Sequence, residues 1–301
     1  MRWLHQNAIV QHGLRLRHFL RQADVQPEVI YSPFFDALLD FPQIPQLITC
    51  HDLTPLTYPN SRKAWLKYRF WQPRHLACAR LVVAISRHVA DQLMAFGMSS
   101  DRLVVVPNGI AEVEFPVLTP QSSDLLVIAR HDANKNLHGL LRVIAGVQRH
   151  VRHWHGVVRI VGRGVAASTD LQALRRALPR PEGLVLIDQL DSETLRSTIR
   201  SSLALVSASF EEGFDYPVLE AKAEGIPTLL SDIPVHREFH HNSSLFFPVD
   251  DDGSTLADHL NLLLDDSLAW QELSAAGLLM SRTLSLQRQQ QQIIGLIGQL
   301  H

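Results

Sequence analysis

Short runs of β-branched and other apolar residues alternate with helical stretches along this chain. Each run is three to six residues long and is followed by a more polar segment. The alternation predicts parallel sheets with helices on both faces, because parallel strands need a crossover that is usually a helix. The predicted strands are 28–31, 46–50, 80–85, 103–106, 125–129, 157–161, 184–187, 203–206 and 228–230. We therefore expect the α/β class, with two doubly wound parallel sheets.

A boundary between two domains is predicted near residue 118. The turn Pro107-Asn-Gly-Ile ends a strand, and residues 111–124 are rich in Pro, Ser and Thr without helical periodicity. Residues 285–297 have a helical pattern. The expected organisation is a first domain at 1–118, a second at 119–283 and a C-terminal helix within 284–301.

Composition limits the class of protein. The chain has 301 residues, of which 46% are hydrophobic and 19% charged, as in a globular protein large enough for two domains. Cys50 and Cys78 form neither a disulfide framework nor a metal-ligand spacing. The start lacks a signal-like apolar run, and no stretch reaches the ~18 apolar residues of a membrane span. We expect a cytoplasmic protein that contacts membranes only peripherally.

Charge is distributed unevenly between the two halves. Residues 1–119 carry 12 basic and 9 acidic side chains, and residues 120–301 carry 16 and 21, so the halves have net charges of +3 and −5. The segment 62–80 is basic, lacks acids and contains four aromatic residues. It fits a helix that rests on anionic lipid or receives an anionic acceptor, and equally a solvated helix that covers a sheet. It lacks a recognised nucleic-acid module, so we expect no nucleic-acid partner.

The segment Glu212-Gly-Phe-Asp-Tyr-Pro-Val-Leu-Glu220 places two carboxylates eight positions apart around a glycine turn and a helix start. Gly213 permits close backbone approach, and Pro217 suits the first turn of a helix. Exposed amides at a helix start favour an anion, and carboxylates accept hydrogen bonds from vicinal hydroxyls. The pattern indicates a site for a polyol bound through phosphate. A helix cap with incidental acids is the alternative.

This segment resembles the Glu-x7-Glu motif of the retaining glycosyltransferases of family 4, which have the GT-B fold. Their usual form has glycine where this chain has Asp215. Three further segments are similar to family motifs and occur in the family's order: Pro107-Asn-Gly-Ile, Ala129-Arg-His-Asp-Ala-Asn-Lys-Asn136 and Ile160-Val-Gly-Arg-Gly. The resemblance implies two Rossmann-like domains and a final helix that crosses back onto the first.

The resemblance also implies roles for individual residues of the second domain. Arg130 and Lys135 would hold the donor diphosphate and offset its leaving charge without a metal. Glu212 would face the donor sugar, and Glu220 would accept hydrogen bonds from the ribose hydroxyls. Backbone amides beside the helix start would complete the phosphate cradle. The cradle residues are Gly213, Phe214, Asp215 and Tyr216.

His51 and Asp52 follow an apolar strand of the first domain. Ligands of open α/β sheets gather at this carboxyl edge. The resemblance implies that His51 lies near the donor sugar and the reacting centre, and that Asp52 orients the loop. A purely structural His-Asp turn is the alternative, since aspartate often caps the next segment.

The start of the chain differs from the family pattern. The strand at 28–31 is reached earlier than in family members, and their glycine-rich loop has no counterpart, so we expect a reduced N-terminal domain. An incomplete sheet exposes an edge strand, which favours self-association or a partner chain. Asp250-Asp-Asp252 follows a strand-like run and precedes Gly253-Ser, which indicates a polar loop before a helix rather than a metal site.

The expected function is transfer of a hexose from a nucleoside-diphosphate sugar, with retention and without a metal cofactor, to a glycan or lipid-linked acceptor. Surface polysaccharide or glycolipid biosynthesis is the expected setting. A non-catalytic family member that binds nucleotide or sugar and acts with a partner is the main alternative. A sugar-nucleotide epimerase of the same architecture is the third, and the motif spacing argues against it.

Overall fold

The computed structural model describes residues 27–300, together with His18 and Gln22. The chain divides into two compact units, one formed by the residues up to Pro107 and from Gln289 onwards, the other by Asn108–Arg288. The division falls earlier than the predicted boundary at 118. Val117 is buried in the core of the second unit, where its amide donates to the Glu224 carbonyl. The predicted domain limits stay predictions.

The first unit is built on a parallel sheet with the strand order β1-β2-β3-β4. Its strands are β1 (Ile30–Ser32), β2 (Gln46–Cys50), β3 (Leu81–Ala84) and β4 (Leu103–Val105). Its helices are α1 (Thr54–Thr57), α2 (Arg62–Leu66), a π turn (Lys67–Trp71), α3 (Gln72–Cys78), α4 (Arg87–Ala95) and a 3-10 turn (Ser100–Arg102). β2 is buried along its whole length, including its polar residues Gln46 and Thr49.

The C-terminal helix α12 (Leu286–Leu300) packs with the first sheet. Its buried residues Ile293 and Leu296 form one apolar cluster with Leu47, Val83 and Val106. The three-residue spacing places both helix residues on one face, as an amphipathic helix requires.

The second unit has a six-stranded parallel sheet with the order β10-β9-β8-β5-β6-β7. Its strands are β5 (Leu125–Ile128), β6 (Val158–Val161), β7 (Leu184–Ile187), β8 (Ala204–Ser207), β9 (Thr228–Ser231) and β10 (Leu245–Phe247). Its α-helices are α5 (Leu137–His150), α6 (Thr169–Arg176), α7 (Ser192–Ser201), α8 (Tyr216–Ala223), α9 (Pro234–His240), α10 (Ser254–Asp265) and α11 (Ser267–Thr283). Its 3-10 turns are Ala133–Lys135 and Pro181–Gly183. The predicted pair of parallel α/β sheets is confirmed, and the strand order of the second sheet is doubly wound.

The centre of the second sheet is a topological switch point. The chain runs outward from β5 to β7, then returns to β8 on the other side of β5 and continues outward to β10. Ligands of doubly wound sheets bind beyond the carboxyl ends of the strands at such a point. The loops that follow β5 and β8 are therefore the segments best placed to form a site.

Helix α5 lies close to the loop before α10. A Cβ added at Gly146 would overlap the carbonyl oxygen of Asp252. Only glycine allows the backbones to approach this closely. The carboxylates of Asp251 and Asp252 accept hydrogen bonds from the first amides of α10. This is the polar loop leading to a helix that the sequence predicts.

Candidate functional site

A buried charge cluster lies where the loops after β5 and β8 meet. Lys135 Nζ is 2.6 Å from Glu212 Oε1 and 3.9 Å from Asp215 Oδ1. The three side chains are only 14%, 10% and 2% exposed, respectively. The structure thus brings together Lys135, Glu212 and Asp215, all of which were predicted as site residues.

The charges of this cluster stabilise one another. Burial lowers the pKa of Lys135, but the charges of Asp215 and Glu212 outweigh burial and raise it. Burial likewise opposes ionisation of Asp215, yet Lys135 and hydrogen bonds from His236 and Ser207 hold the pKa of that carboxyl well below its usual range. Burial and then Asp215 raise the pKa of Glu212, a shift that Lys135 opposes. The ammonium group of Lys135 therefore persists in a poorly hydrated site.

Two asparagines connect the loops that carry the cluster. Asn134 Nδ2 donates to the Glu211 carbonyl, and the Phe210 amide donates to the Asn134 carbonyl. Asn136 Nδ2 donates to the Ala208 carbonyl, while its side-chain oxygen caps α5 at the Gly139 amide. The linking role of Asn134 and Asn136 was not predicted from the sequence, although an asparagine just before a helical run is a recognisable cap signal.

Asp215 adopts the backbone conformation that glycine favours. Its φ is 63° and its ψ is 70°, and among the described residues Asn136 is the other non-glycine residue with positive φ. This conformation is the physical reason why glycine is common at this position in the resembling family. Ser207 Oγ donates to Asp215 Oδ2 over 2.6 Å, and His236 Nε2 lies 3.1 Å from the same oxygen. These contacts hold an aspartate in a conformation that L-residues adopt rarely.

The helix start predicted after Gly213 is present. α8 begins at Tyr216 with Pro217 in its first turn. Phe214 is buried, and its ring lies 5.2 Å from that of Tyr216. Glu220 projects one turn further along the helix, where burial and then Asp215 raise the pKa of its carboxyl. The amide cradle and the ribose contact stay predictions.

Arg130 differs from Lys135 in its environment. Its side chain is 66% exposed, and Nη2 lies 3.0 Å from Asp132 Oδ2. The loop thus supplies one exposed cation and one buried cation. The Asp132 partner was not foreseen from the sequence.

His51 and Asp52 belong to the first unit, beyond the carboxyl end of β2. His51 Nε2 lies 2.8 Å from the Pro33 carbonyl, which follows β1, and its ring centroid is 5.9 Å from that of Phe34. Because a carbonyl only accepts, this nitrogen carries the hydrogen. The contact leaves Nδ1 as the nitrogen that can accept a hydrogen bond in the neutral ring. The predicted catalytic role of His51 and the orienting role of Asp52 stay predictions.

Neither a cluster of metal-binding side chains nor a membrane-spanning helix is found among the described residues. Within residues 27–300, His18 and Gln22, no group of three or more His, Cys, Asp or Glu side chains is arranged to hold a metal ion. Across the same residues, no helix has both the length and the apolarity that crossing a membrane requires.

Lys222 is a buried residue that the sequence analysis missed. It is completely inaccessible in α8, and Nζ donates to the carbonyl and hydroxyl oxygens of Ser243 over 2.5 and 2.6 Å. Burial lowers the pKa of Lys222 to about 7. A neutral amine has two hydrogens, which match these two acceptors.

Two family models match the chain. The model described as Glycosyltransferase Family 4 matches residues 4–112, and that described as Glycosyl transferases group 1 matches residues 122–266. These are 109 and 145 of the 301 residues. The first match lies mainly in the first unit, and the second covers the strands and loops that form the charge cluster.

Curated relatives are distant in sequence. The chain is 25% identical over 213 residues to the O-antigen chain mannosyltransferase RfbU of Salmonella typhimurium, a match that covers 69% of this chain and 58% of the relative. It is 24% identical over 296 residues to the O-antigen chain mannosyltransferase B of Escherichia coli, covering 91% and 76%. A lipopolysaccharide 1,6-galactosyltransferase of Salmonella typhimurium is 24% identical, with 62% and 56% covered. The chain thus spans little more than half the length of two of these relatives.

Solved structures show the same fold. A sucrose-phosphate synthase from Thermosynechococcus elongatus superposes with a TM-score of 0.78 at 18% identity, covering 97% of this chain and 78% of that one. Anabaena HepE, solved in complex with UDP and glucose, gives a TM-score of 0.75 at 16% identity, covering 97% and 83%. The two parallel sheets, the two family models and these likenesses agree, and the chain belongs to the group 1 glycosyltransferases of the GT-B fold.

Proposed function

We propose that this chain is a retaining glycosyltransferase that moves a hexose from a nucleoside-diphosphate sugar to a glycan or lipid-linked acceptor in surface polysaccharide or glycolipid assembly. The observation that carries the proposal is the buried Lys135 ammonium at the switch point of the second sheet, paired with Glu212. A buried cation at such a point is suited to an anionic ligand, because its field is weakly screened there.

Lys135 would offset the charge that develops on the leaving diphosphate, which is the main electrostatic requirement of glycosyl transfer. Arg130 is exposed and could exchange Asp132 for a phosphate oxygen. Glu212, already fixed by Lys135, would face the donor sugar, and Glu220 would accept from the ribose hydroxyls. This arrangement supplies positive charge from side chains, so the proposed reaction needs no metal ion.

The donor is proposed to carry mannose or a related hexose. This rests on the names of two relatives, both O-antigen chain mannosyltransferases. In the first unit, His51 Nδ1 is proposed to lie near the donor sugar, with Asp52 orienting the loop. Its Nε2 is held by the Pro33 carbonyl, which fixes the direction of the ring.

The proposal is tested by nucleoside diphosphate release from a panel of UDP-, GDP-, dTDP- and ADP-sugars, with a crude lipid extract or a glycan mixture as acceptor. We expect release from one donor and a roughly 100-fold or greater loss in Glu212→Gln, which keeps the shape but removes the charge that pairs with Lys135. Glu193→Gln is the matched control, because Glu193 is exposed on α7.

The outcomes separate transfer from its rivals. Nucleotide binding without release from any donor would overturn the transferase assignment in favour of a non-catalytic binding member. Return of an altered nucleotide sugar, rather than free nucleotide and a glycosylated acceptor, would identify an epimerase.

Peripheral contact with an anionic membrane is proposed for the surface formed by α2, the π turn and α3. Trp65, Leu66, Phe70 and Trp71 are between 37% and 59% exposed there. The segment 62–80 carries six Lys and Arg residues and no acid. Exposed aromatic and basic side chains together suit the headgroup region of an anionic bilayer.

Vesicle sedimentation tests this contact. We expect binding to vesicles of anionic and zwitterionic lipid that weakens about 30-fold in the double variant Lys63→Ala/Arg69→Ala, since each basic residue near such a surface contributes roughly 1 kcal/mol. These two are preferable to Lys67, whose ammonium lies over the Phe35 ring and contributes to packing. Equal binding to purely zwitterionic vesicles, or an equal loss in Arg176→Ala/Arg282→Ala, would overturn the proposal.

A further inference from the structure

His236 connects the charge cluster to the interior of the second unit. The residue is completely buried in α9. Its Nδ1 lies 2.9 Å from the Ser231 carbonyl and its Nε2 lies 3.1 Å from Asp215 Oδ2. A carbonyl oxygen only accepts hydrogen bonds, so Nδ1 carries a hydrogen. The hydrogen bond between Nε2 and the carboxylate then requires a second proton.

The second proton on His236 changes the net charge of the buried cluster. Lys135 contributes +1, and Glu212 and Asp215 contribute −1 each. With a neutral imidazole at His236 the cluster would carry a net −1, and with an imidazolium it is neutral. In the usual form of the resembling motif a glycine stands at position 215, so a lysine and a glutamate there balance without a further proton. The aspartate of this chain creates a charge that something else must compensate.

We propose that His236 is held as an imidazolium that neutralises Asp215, and thereby leaves the charge of Lys135 available to the diphosphate of the donor. His236 is a positioning residue that acts through Asp215. The ligand named here rests on the proposed function, whereas the protonation of His236 does not. Both ring nitrogens of His236 face oxygens that accept hydrogen bonds, which supports the imidazolium form.

The surroundings of the ring favour a single charged histidine. Charged and titratable groups surround the His236 ring. Asp215, just before α8, contacts it directly, and Asp232 lies after β9. His240 lies one turn along α9 and is influenced by Lys222, while Lys135 and Glu212 act on the ring through Asp215. Burial, then Lys222 and His236, lower the pKa of His240 well below its usual range. The neighbouring histidine is therefore neutral, and of these two histidines His236 is the one that contacts the carboxylate of Asp215.

Nitrogen NMR of protein labelled at histidine tests the protonation without any ligand. We expect the His236 ring, identified by the signals lost in His236→Gln, to be protonated at both nitrogens at neutral pH. A ring protonated only at Nδ1 would overturn the proposal. This measurement does not depend on whether the chain transfers a sugar.

Nucleoside diphosphate binding tests the consequence. By calorimetry with UDP and GDP at about pH 6.5, we expect the wild-type protein to bind at least one of the two nucleotides. Asp215→Gly lacks the extra carboxylate and suits the positive φ, so it gives the affinity of a cluster that needs no imidazolium.

Rescue separates charge compensation from a structural role. His236→Gln keeps a donor for Asp215 but cannot carry the charge, and is expected to bind roughly 10-fold more weakly at about pH 6.5. The double variant Asp215→Gly/His236→Gln should recover wild-type affinity within about 2-fold. No recovery, with melting temperatures that show a folded protein, would overturn the inference. If neither nucleotide binds, the proposed function and the ligand part of this inference both fail, and the NMR result alone decides the state of His236.

Discussion

Replacing Lys135 with alanine is expected to lower nucleoside diphosphate release by roughly 100- to 1,000-fold, the usual effect of removing one group that stabilises charge in a transition state. Lys135 is the buried cation of the cluster, 2.6 Å from Glu212 and 14% exposed. Exposed Arg130 cannot replace it, because water screens a surface charge far more than a buried one. The loss should appear mainly in kcat, since the charge that needs offsetting develops as the diphosphate leaves.

The measurement is steady-state kinetics with the donor that the wild-type protein uses. Lys135→Arg keeps a cation and should recover part of the lost rate, although its planar group does not reproduce the position of Nζ. Arg282→Ala removes one exposed charge from the same unit and should leave the rate unchanged. Because the alanine variant leaves the buried carboxylate of Glu212 without its cation, its melting temperature is measured as well. A folded Lys135→Ala protein that keeps more than about a third of the wild-type rate would contradict the assigned role.

Replacing Lys222 with methionine is expected to change how stability depends on pH. Burial lowers the pKa of Lys222 to about 7, whereas the unfolded chain has the ordinary value of about 10.4. Between these values the unfolded state binds the proton and the folded state does not, so wild-type stability rises with pH in this window. Below about pH 7 both states are charged and the folded protein bears the full cost of burial, on the order of 5 kcal/mol.

Urea denaturation at about pH 6.5, 8 and 9.5 checks this prediction. The free energy of unfolding of wild type, relative to Lys222→Met, should be lowest at the acid end and should rise steadily toward pH 9.5. A constant offset from the two Ser243 oxygens that lose their donor is expected at every pH. Lys63→Met, on an exposed residue of α2, is the control and should leave the curve parallel to wild type. Parallel curves for Lys222→Met would show that Lys222 is not neutralised by burial.

The sheets and the centre of the site could be predicted because their signals are local. Each strand of the second unit from β5 to β9 coincides with an apolar run flanked by polar residues. Lys135 and Glu212 follow β5 and β8 in sequence, and those strands are neighbours at the switch point. A motif defined by spacing therefore located residues that the fold brings to 2.6 Å. The roles proposed for Lys135 and Glu212 come from family resemblance, and the order of the strands explains why the two side chains lie close together.

The partners of those residues could not be predicted because they depend on distant contacts. His236 is 21 positions from Asp215 in sequence, and nothing in its local sequence distinguishes it from the other 15 histidines of the chain. Lys222 lies in an ordinary helical stretch, and the burial that lowers its pKa arises only when the rest of the unit packs around it. The basic segment was predicted as one helix, yet Lys67–Trp71 forms a π turn within it. Hydrogen-bond register of this kind is set by tertiary packing rather than by residue propensity.

The central pairing of β5 with β8 ties ligand binding to the integrity of the whole second sheet. Asn134 and Glu211, which join the two loops, are 77 positions apart in sequence. Any opening of the unit that parts these strands also separates the lysine from its carboxylates. A molecule bound there interacts only with the closed form, so by mass action it holds the sheet shut. Occupancy by the donor would thus protect the second unit from proteases and from heat, over a region far larger than the few residues it touches.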